Sequence, residues 1–147
     1  MIRTLQAFDI KGKNVLIRAD LNVPMSGETI TNNFRIKSSL PTIKRCIEAG
    51  ASVVLMSHLG RPKGKEEQSL SLIPVGEELA GLLEMPIKFS ANCISTDAID
   101  TSILKDLYHL NNGSVLLKII SAYFLSKIVF FFVLSKQSID GKLYIIL

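Results

Sequence analysis

The chain has 147 residues, 48% of them hydrophobic and 20% charged, which suits a single globular domain with one core. The formal net charge is +4, but the tail from residue 118 onward holds four lysines against one aspartate, so the rest of the chain is nearly neutral. This distribution argues against a clustered basic surface, and we expect no nucleic-acid partner.

Cysteine use and the N-terminal sequence both favour a cytoplasmic protein. Cys46 and Cys93 are too few for a disulfide framework and lack the spacing of metal ligands. We therefore expect two buried, reduced thiols and no metal site. Residues 1–13 contain neither the apolar segment nor the cleavage pattern of a secretory signal.

Strand and helix signals alternate from residue 14 to about residue 117. Short apolar runs rich in β-branched residues predict buried strands, and apolar residues at helical spacing predict helices. The predicted elements are a strand at 14–20, a loop at 21–33, a helix at 35–49, a strand at 51–57, a loop at 58–71, a helix from Pro74 to Leu83, a strand at 87–89, a helix at 101–110, a turn at 111–113 and a strand starting at 114–117. This order predicts an α/β fold with Rossmann-like βαβ layers and a mostly parallel sheet.

The first predicted helix contains a conflict. Its apolar residues recur at helical spacing, and Gly50 fits the position after its C-terminus. Pro41, however, cannot donate the backbone hydrogen bond that a helix interior needs. Either one helix kinks at Pro41, or Ser39 caps a helix whose regular part begins there. We favour the single kinked helix.

The composition changes abruptly at about residue 117. Residues 118–147 are mostly Ile, Phe, Leu, Ser, Lys and Tyr, with no helix or strand period. We therefore predict a partial domain at 1–117 and an unrelated apolar tail at 118–147. A sheet that ends after its fourth strand would have an open edge, and we expect the domain to be marginally stable.

Two interpretations of the tail stay open. Residues 115–134 have the length of a membrane-spanning helix, but Lys118 and Lys127 interrupt the apolar run. The favoured alternative is an extension that completes one strand and then exposes apolar surface, because residues 130–134 combine low charge with high β-propensity.

Polar side chains follow the first two predicted strands. Asp20 and Asn22 come after the first strand, His58 and Arg61 come after the second, and Arg35 begins the helix between them. Because ligands of open parallel sheets bind beyond the carboxyl ends of the strands, we expect these side chains to be neighbours. Arginine and histidine can donate to phosphate or carboxylate oxygens, and aspartate can accept from a ligand hydroxyl. The alternative is a turn-ordering aspartate, a core histidine and solvated arginines.

Several motifs, in the same order, resemble the N-terminal substrate lobe of phosphoglycerate kinase. The matching stretches are 14–24, 30–36, 40–43, 57–64, 71–83 and 113–117. The resemblance implies phosphoryl transfer in glycolysis between 1,3-bisphosphoglycerate and ADP, with Mg-ATP or Mg-ADP as the nucleotide. The substrate partner would be 3-phosphoglycerate or 1,3-bisphosphoglycerate. The implied fold is an incomplete N-terminal lobe of a two-lobed kinase.

The resemblance also implies roles for the five polar residues at the strand ends. His58 and Arg61 would hold the distal phosphate, and Asp20 would lie near the substrate hydroxyl, with Asn22 as a further substrate contact. Arg35 would lie near the carboxyl group and act catalytically by stabilising charge on the moving phosphoryl group. Such transfer depends mainly on positioning and electrostatics.

The chain departs from the family after residue 117. The family continues there with Glu-Asn-x-Arg-Phe, whereas this chain continues with Lys-Ile-Ile-Ser. The chain also contains neither Gly-x-x-x-x-Gly-Lys-Ser/Thr nor Gly-x-Gly-x-x-Gly, and we expect it to lack the nucleotide-binding lobe of the family. We therefore expect a fragment that is inactive alone. The alternatives are a weak binding module for phosphorylated three-carbon acids, or a non-functional product of mis-splicing or frameshift with a membrane-seeking tail.

Overall fold

A parallel five-stranded sheet forms the centre of the protein. The computed structural model describes residues 5–60, 70–90, 111–119 and 143–146. The sheet order is β5-β6-β4-β1-β7, and a two-stranded antiparallel hairpin, β2-β3, lies apart from it. The elements in chain order are a short 3-10 helix Leu5–Ala7, β1 Asn14–Arg18, β2 Met25–Ser26, β3 Thr29–Ile30, α1 Phe34–Glu48, β4 Ser52–Ser57, α2 Ile73–Leu83, β5 Ile87–Ser90, β6 Val115–Ile119 and β7 Leu143–Ile146.

The predicted α/β class with a parallel sheet is confirmed. The middle strand, β4, pairs in parallel with β1 on one side and with β6 on the other. All six residues of β4 are buried, as expected for a strand covered on both faces. The apolar run Val53 to Met56 therefore lies at the centre of the core, as its sequence predicts.

Helix α1 runs without a break through Pro41. It begins at Phe34, so the alternative in which the helix becomes regular only near Pro41 is wrong. Pro41 removes one backbone donor, but Ile36 and Ile43 on either side of it are fully buried, and this burial favours the helix across the gap. The predicted end at Gly50 is confirmed. Gly50 has a φ of +79°, and its N–H donates to the Ile47 carbonyl.

Helix α2 packs tightly on the sheet. Val75, Gly76 and Leu79 form its buried side. A Cβ placed on Gly76 would lie 3.2 Å from Leu117 Cδ2 in β6, so the missing side chain lets the helix approach the strand closely. α1 and α2 also contact each other.

Three predictions for the loops and tail are revised or left open. The predicted loop at 21–33 contains the β2-β3 hairpin. The fourth strand continues past residue 117 to Ile119, with Lys118 opposite Met56 of β4. The predicted helix at 101–110 lies outside the described residues, as do Cys93 and most of the tail. The domain boundary at 117 stays a prediction.

Among the described strands the edges of the sheet are β5 and β7, and the strand that covers β1 was not predicted from the sequence. Residues 143–146 form β7, which pairs in parallel with β1, with Asn14 opposite Leu143 and Ile17 opposite Ile146. The backbone groups of β1 on this side therefore have a strand partner, which reduces the hazard of an unpaired edge.

The structure at the start of residues 115–134 does not agree with a membrane-spanning helix. The first five residues, 115–119, form a strand inside the sheet, and the remainder lies outside the described residues. Across the described ranges, no helix has both the length and the apolar character needed to cross a bilayer.

Cys46 is fully buried in α1, which agrees with the expected inert thiol. Burial raises the pKa of this thiol because the thiolate loses its hydration. A raised pKa leaves less of the reactive thiolate at pH 8, so we expect slow alkylation of Cys46 in the folded chain. In a Cys93→Ser variant treated with iodoacetamide at pH 8, Cys46 should react at least about tenfold faster in urea than in buffer. Equal rates in the two solvents would show that the thiol is accessible in the native state.

Candidate anion-binding site at the strand ends

Three hydrogen bonds connect the loop that follows β1 to the last residues of β4 and to the loop that follows β4. The Ala19 N–H donates to the Met56 carbonyl at 3.0 Å, just beyond the paired strand residues. The Leu21 N–H then donates to Ser57 Oγ at 3.0 Å. These contacts hold the two loops together at the carboxyl edge of the sheet, where parallel α/β sheets bind ligands.

The acceptor of the third hydrogen bond is a predicted site residue. Asn22 Oδ1 accepts a hydrogen bond from the Gly60 N–H at 3.0 Å. With this oxygen engaged, the amide nitrogen of Asn22 remains available as a donor, because it donates to none of the described residues.

Asp20 and Arg35 form an ion pair at the same edge. Arg35 Nη1 lies 2.8 Å from both carboxylate oxygens of Asp20. The side chains are 49% and 64% exposed for Arg35 and Asp20 respectively. Solvent screens a pair this exposed, so it contributes at most about 1 kcal/mol to folding. Its main consequence is to hold a guanidinium group beside the loop that follows β1.

The start of α1 explains why Arg35 is in reach of Asp20. Asn32 Oδ1 accepts the Phe34 N–H at 2.8 Å, which fixes the turn that leads into the helix. The Asn33 side chain, at the N-cap position, donates instead to Glu78 of α2. Arg35 is therefore in the first turn of a helix whose start is tied to a neighbouring helix.

The structure brings three of the five predicted residues together. Asp20, Asn22 and Arg35 are linked through the Asp20–Arg35 pair and through a hydrogen bond from the Asn22 N–H to Asp20 Oδ1 at 3.3 Å. His58 directly follows β4 and is half-buried, in the same loop as Gly60. Arg61 lies outside the described residues.

Sequence reasoning missed two residues that connect the loops. Ser57 was part of the motif at 57–64, but its side chain was given no role. Gly60 belongs to the same motif and was also given no role. The available signal was their position, since both lie at or just beyond the end of a buried strand, where backbone donors lose their ladder partners.

The structure contains a polar cleft that none of the predicted site residues lines. It has a volume of about 370 Å³ and is lined by Ile30, Thr31, Asn32, Asn33 and Glu78. It opens at the start of α1, next to the turn that precedes Arg35.

The described residues were compared with the ligand sets that metal ions need. They contain no group of three His, Cys, Asp or Glu side chains placed to hold a metal ion. The linked side chains offer a guanidinium group and an amide that can donate to an anion, and a carboxylate that can accept from a hydroxyl.

Comparison with known proteins identifies the family of the chain. The family model for phosphoglycerate kinase matches residues 5–118. The phosphoglycerate kinase of Bifidobacterium adolescentis is 54% identical over 90 residues, which is 61% of this chain and 22% of the relative. That of Rippkaea orientalis is 45% identical over 116 residues, which is 79% of this chain and 28% of the relative.

Solved structures give the same result. Phosphoglycerate kinase from Pyrococcus horikoshii has a TM-score of 0.67 at 29% identity, over 80% of this chain and 27% of that one. The enzyme from Coxiella burnetii has a TM-score of 0.63 at 34% identity, over 78% of this chain and 26% of that one. The chain thus spans about a quarter of the length of the relatives it matches. With the family model covering most of its residues, the chain belongs to the phosphoglycerate kinase family.

Proposed function

We propose that the domain binds a phosphorylated three-carbon hydroxy acid, of the 3-phosphoglycerate class, at the carboxyl ends of β1 and β4. The observation that carries the proposal is the position of Arg35 Nη1, 2.8 Å from Asp20 at the edge where the two loops are joined. A guanidinium group offers a planar set of donors for phosphate or carboxylate oxygens.

Ligand binding would exchange the partners of this ion pair. In the unliganded protein, Arg35 donates to Asp20. An arriving anion would take over the guanidinium group, and Asp20 would then accept a hydrogen bond from the ligand hydroxyl. Because the pair is half exposed, its separation costs at most about 1 kcal/mol, which an arginine–anion contact offsets.

The other proposed contacts are donors on the two loops. Asn22 would donate through its amide nitrogen, because its amide oxygen already accepts a hydrogen bond from the Gly60 N–H. His58 and Arg61 would hold the distal phosphate, as the family resemblance implies. With a partial set of donors, we expect a Kd near 1 mM, which corresponds to about −4 kcal/mol.

A titration of the full chain with 3-phosphoglycerate, followed by amide chemical shifts, tests the proposal. Arg35→Gln should weaken binding at least about tenfold, because a hydrogen bond to a charged group contributes about 1.5–3 kcal/mol. Arg45→Gln is the matched control, since Arg45 is also exposed and lies in the last turn of the same helix. Equal affinities of the two variants, or no shifts near His58 in the unsubstituted chain, would contradict the proposal.

We further propose that this chain alone transfers no phosphoryl group. Transfer requires the nucleotide and the acid to be held in contact, and such positioning can supply about 7–11 kcal/mol of the barrier. The chain spans about a quarter of the length of the relatives that it matches. A coupled assay with ATP and 3-phosphoglycerate should give no turnover above the buffer rate. Turnover that Arg35→Ala abolishes would show that the chain is a catalyst.

A further inference from the structure

The last residue of β4 carries a buried hydroxyl at the junction of the two site loops. Ser57 is 1% exposed. Its Oγ accepts the Leu21 N–H at 3.0 Å and lies 3.4 Å from the His58 carbonyl, to which it donates. One side chain therefore contacts the backbone of both loops that carry the proposed anion site.

The Leu21 N–H has lost its strand partner. β1 ends at Arg18, and the last backbone bond from this segment to β4 is donated by Ala19. Leu21 is fully buried, so its N–H cannot donate a hydrogen bond to bulk water. A buried donor without a partner is costly, and Ser57 Oγ is the acceptor that the fold supplies.

This hydrogen bond fixes the backbone between the two ligand-facing residues of the first loop. Asp20 and Asn22 are the immediate neighbours of Leu21, and Asn22 is held from its other side by the Gly60 N–H. The Asp20 carboxylate is in turn the partner of Arg35. Displacement of the Leu21 backbone would therefore move the carboxylate, the amide and the guanidinium group together.

We propose that Ser57 is a positioning residue for the anion site, acting through the Leu21 N–H and not by touching the ligand. The inference rests on the proposed function for its effect on affinity. Its structural part, the fixing of the loop after β1, stands on the contacts of Ser57 alone.

The same strand supplies a matched control. Ser52, at the opposite end of β4, is also 1% exposed, and its Oγ donates to the Asn111 carbonyl at 2.7 Å. Ser52→Ala and Ser57→Ala each remove one buried hydroxyl, which has one backbone partner at Ser52 and two at Ser57. Both should lower stability, but only Ser57→Ala should alter the anion site.

The experiment measures the affinity of the folded full chain for 3-phosphoglycerate together with amide hydrogen exchange. We expect Ser57→Ala to raise Kd about three- to tenfold and to speed exchange at Leu21 and Gly60, with no change in Kd for Ser52→Ala. If Ser57→Ala fails to fold, Ser57→Cys keeps a side chain of similar size with a weaker acceptor, and it should raise Kd in the same direction. Equal Kd values for the Ser57 and Ser52 variants would overturn the positioning role.

Failure of the proposed function has a different signature. If the unsubstituted chain shows no chemical-shift changes with 3-phosphoglycerate, binding is disproved. The positioning role of Ser57 is then tested by amide hydrogen exchange alone. Faster exchange at Leu21 and Gly60 in Ser57→Ala than in Ser52→Ala supports the positioning of the loop, and equal rates overturn it.

Discussion

Ile43→Ala should lower the free energy of unfolding by about 2–5 kcal/mol. Ile43 is fully buried in α1, within the core cluster formed by the helices and the sheet. Truncation removes apolar contacts and leaves a cavity that neighbouring side chains only partly fill. A domain of this size has a small free energy of unfolding, so we expect the variant to have a large unfolded fraction at 37 °C. Urea denaturation followed by circular dichroism measures the effect.

Ile73→Ala is the control for this substitution. Ile73 is also helical, at the start of α2, but it is 49% exposed. The same truncation there should change stability by no more than about 0.5 kcal/mol, because little buried contact is lost. Similar losses for the two variants would mean that Ile43 is not in a close-packed core.

Gly60→Ala should both destabilise the domain and weaken anion binding. Gly60 has a φ of +63°, where a residue with a Cβ costs about 1–2 kcal/mol. The added Cβ would lie 2.6 Å from Leu70 Cδ2, so the Leu70 side chain must move. Since the Gly60 N–H donates to Asn22, the loop shift should also raise Kd for 3-phosphoglycerate about two- to tenfold.

Gly27→Ala separates the backbone cost from the site effect. Gly27 has a nearly equal φ of +61°, and a Cβ there would meet no atom within 4 Å. It lies in the β2-β3 hairpin turn. We expect this variant to show the backbone penalty with unchanged affinity. Urea denaturation and the same titration apply to both variants, and an unchanged Kd in Gly60→Ala would contradict the role of Gly60 in holding Asn22.

Local patterns predicted the strands and helices well because each element is marked by its own residues. The runs Val15 to Ile17 and Val53 to Met56 are apolar and rich in β-branched residues, and both lie in buried strands. Gly50 marks the end of α1 because the backbone there requires a positive φ. The continuity of α1 through Pro41 was less certain from local rules, since it depends on burial of the residues on either side.

The tail shows where composition misleads. Residues 143–146 carry no period that distinguishes them from the rest of the apolar tail, yet they form a strand beside β1. Strand pairing depends on the partner that the sheet offers as well as on the segment itself, and such a partner is invisible to a local pattern. The strand that pairs with β1 was therefore not predicted from the sequence.

The candidate site was also predicted in part from the sequence and decided in part by the tertiary structure. The order of strands and the positions of Asp20, Asn22 and Arg35 along the chain were enough to predict that these residues share one edge of the sheet, because parallel strands direct their carboxyl ends to the same side. The family was also evident from the motifs. Only the tertiary structure decided that Arg35 pairs with Asp20 and that Ser57 accepts from Leu21. These contacts join residues 15 and 36 positions apart, and such partners are chosen by the packing of β1, α1 and β4, which no local pattern encodes.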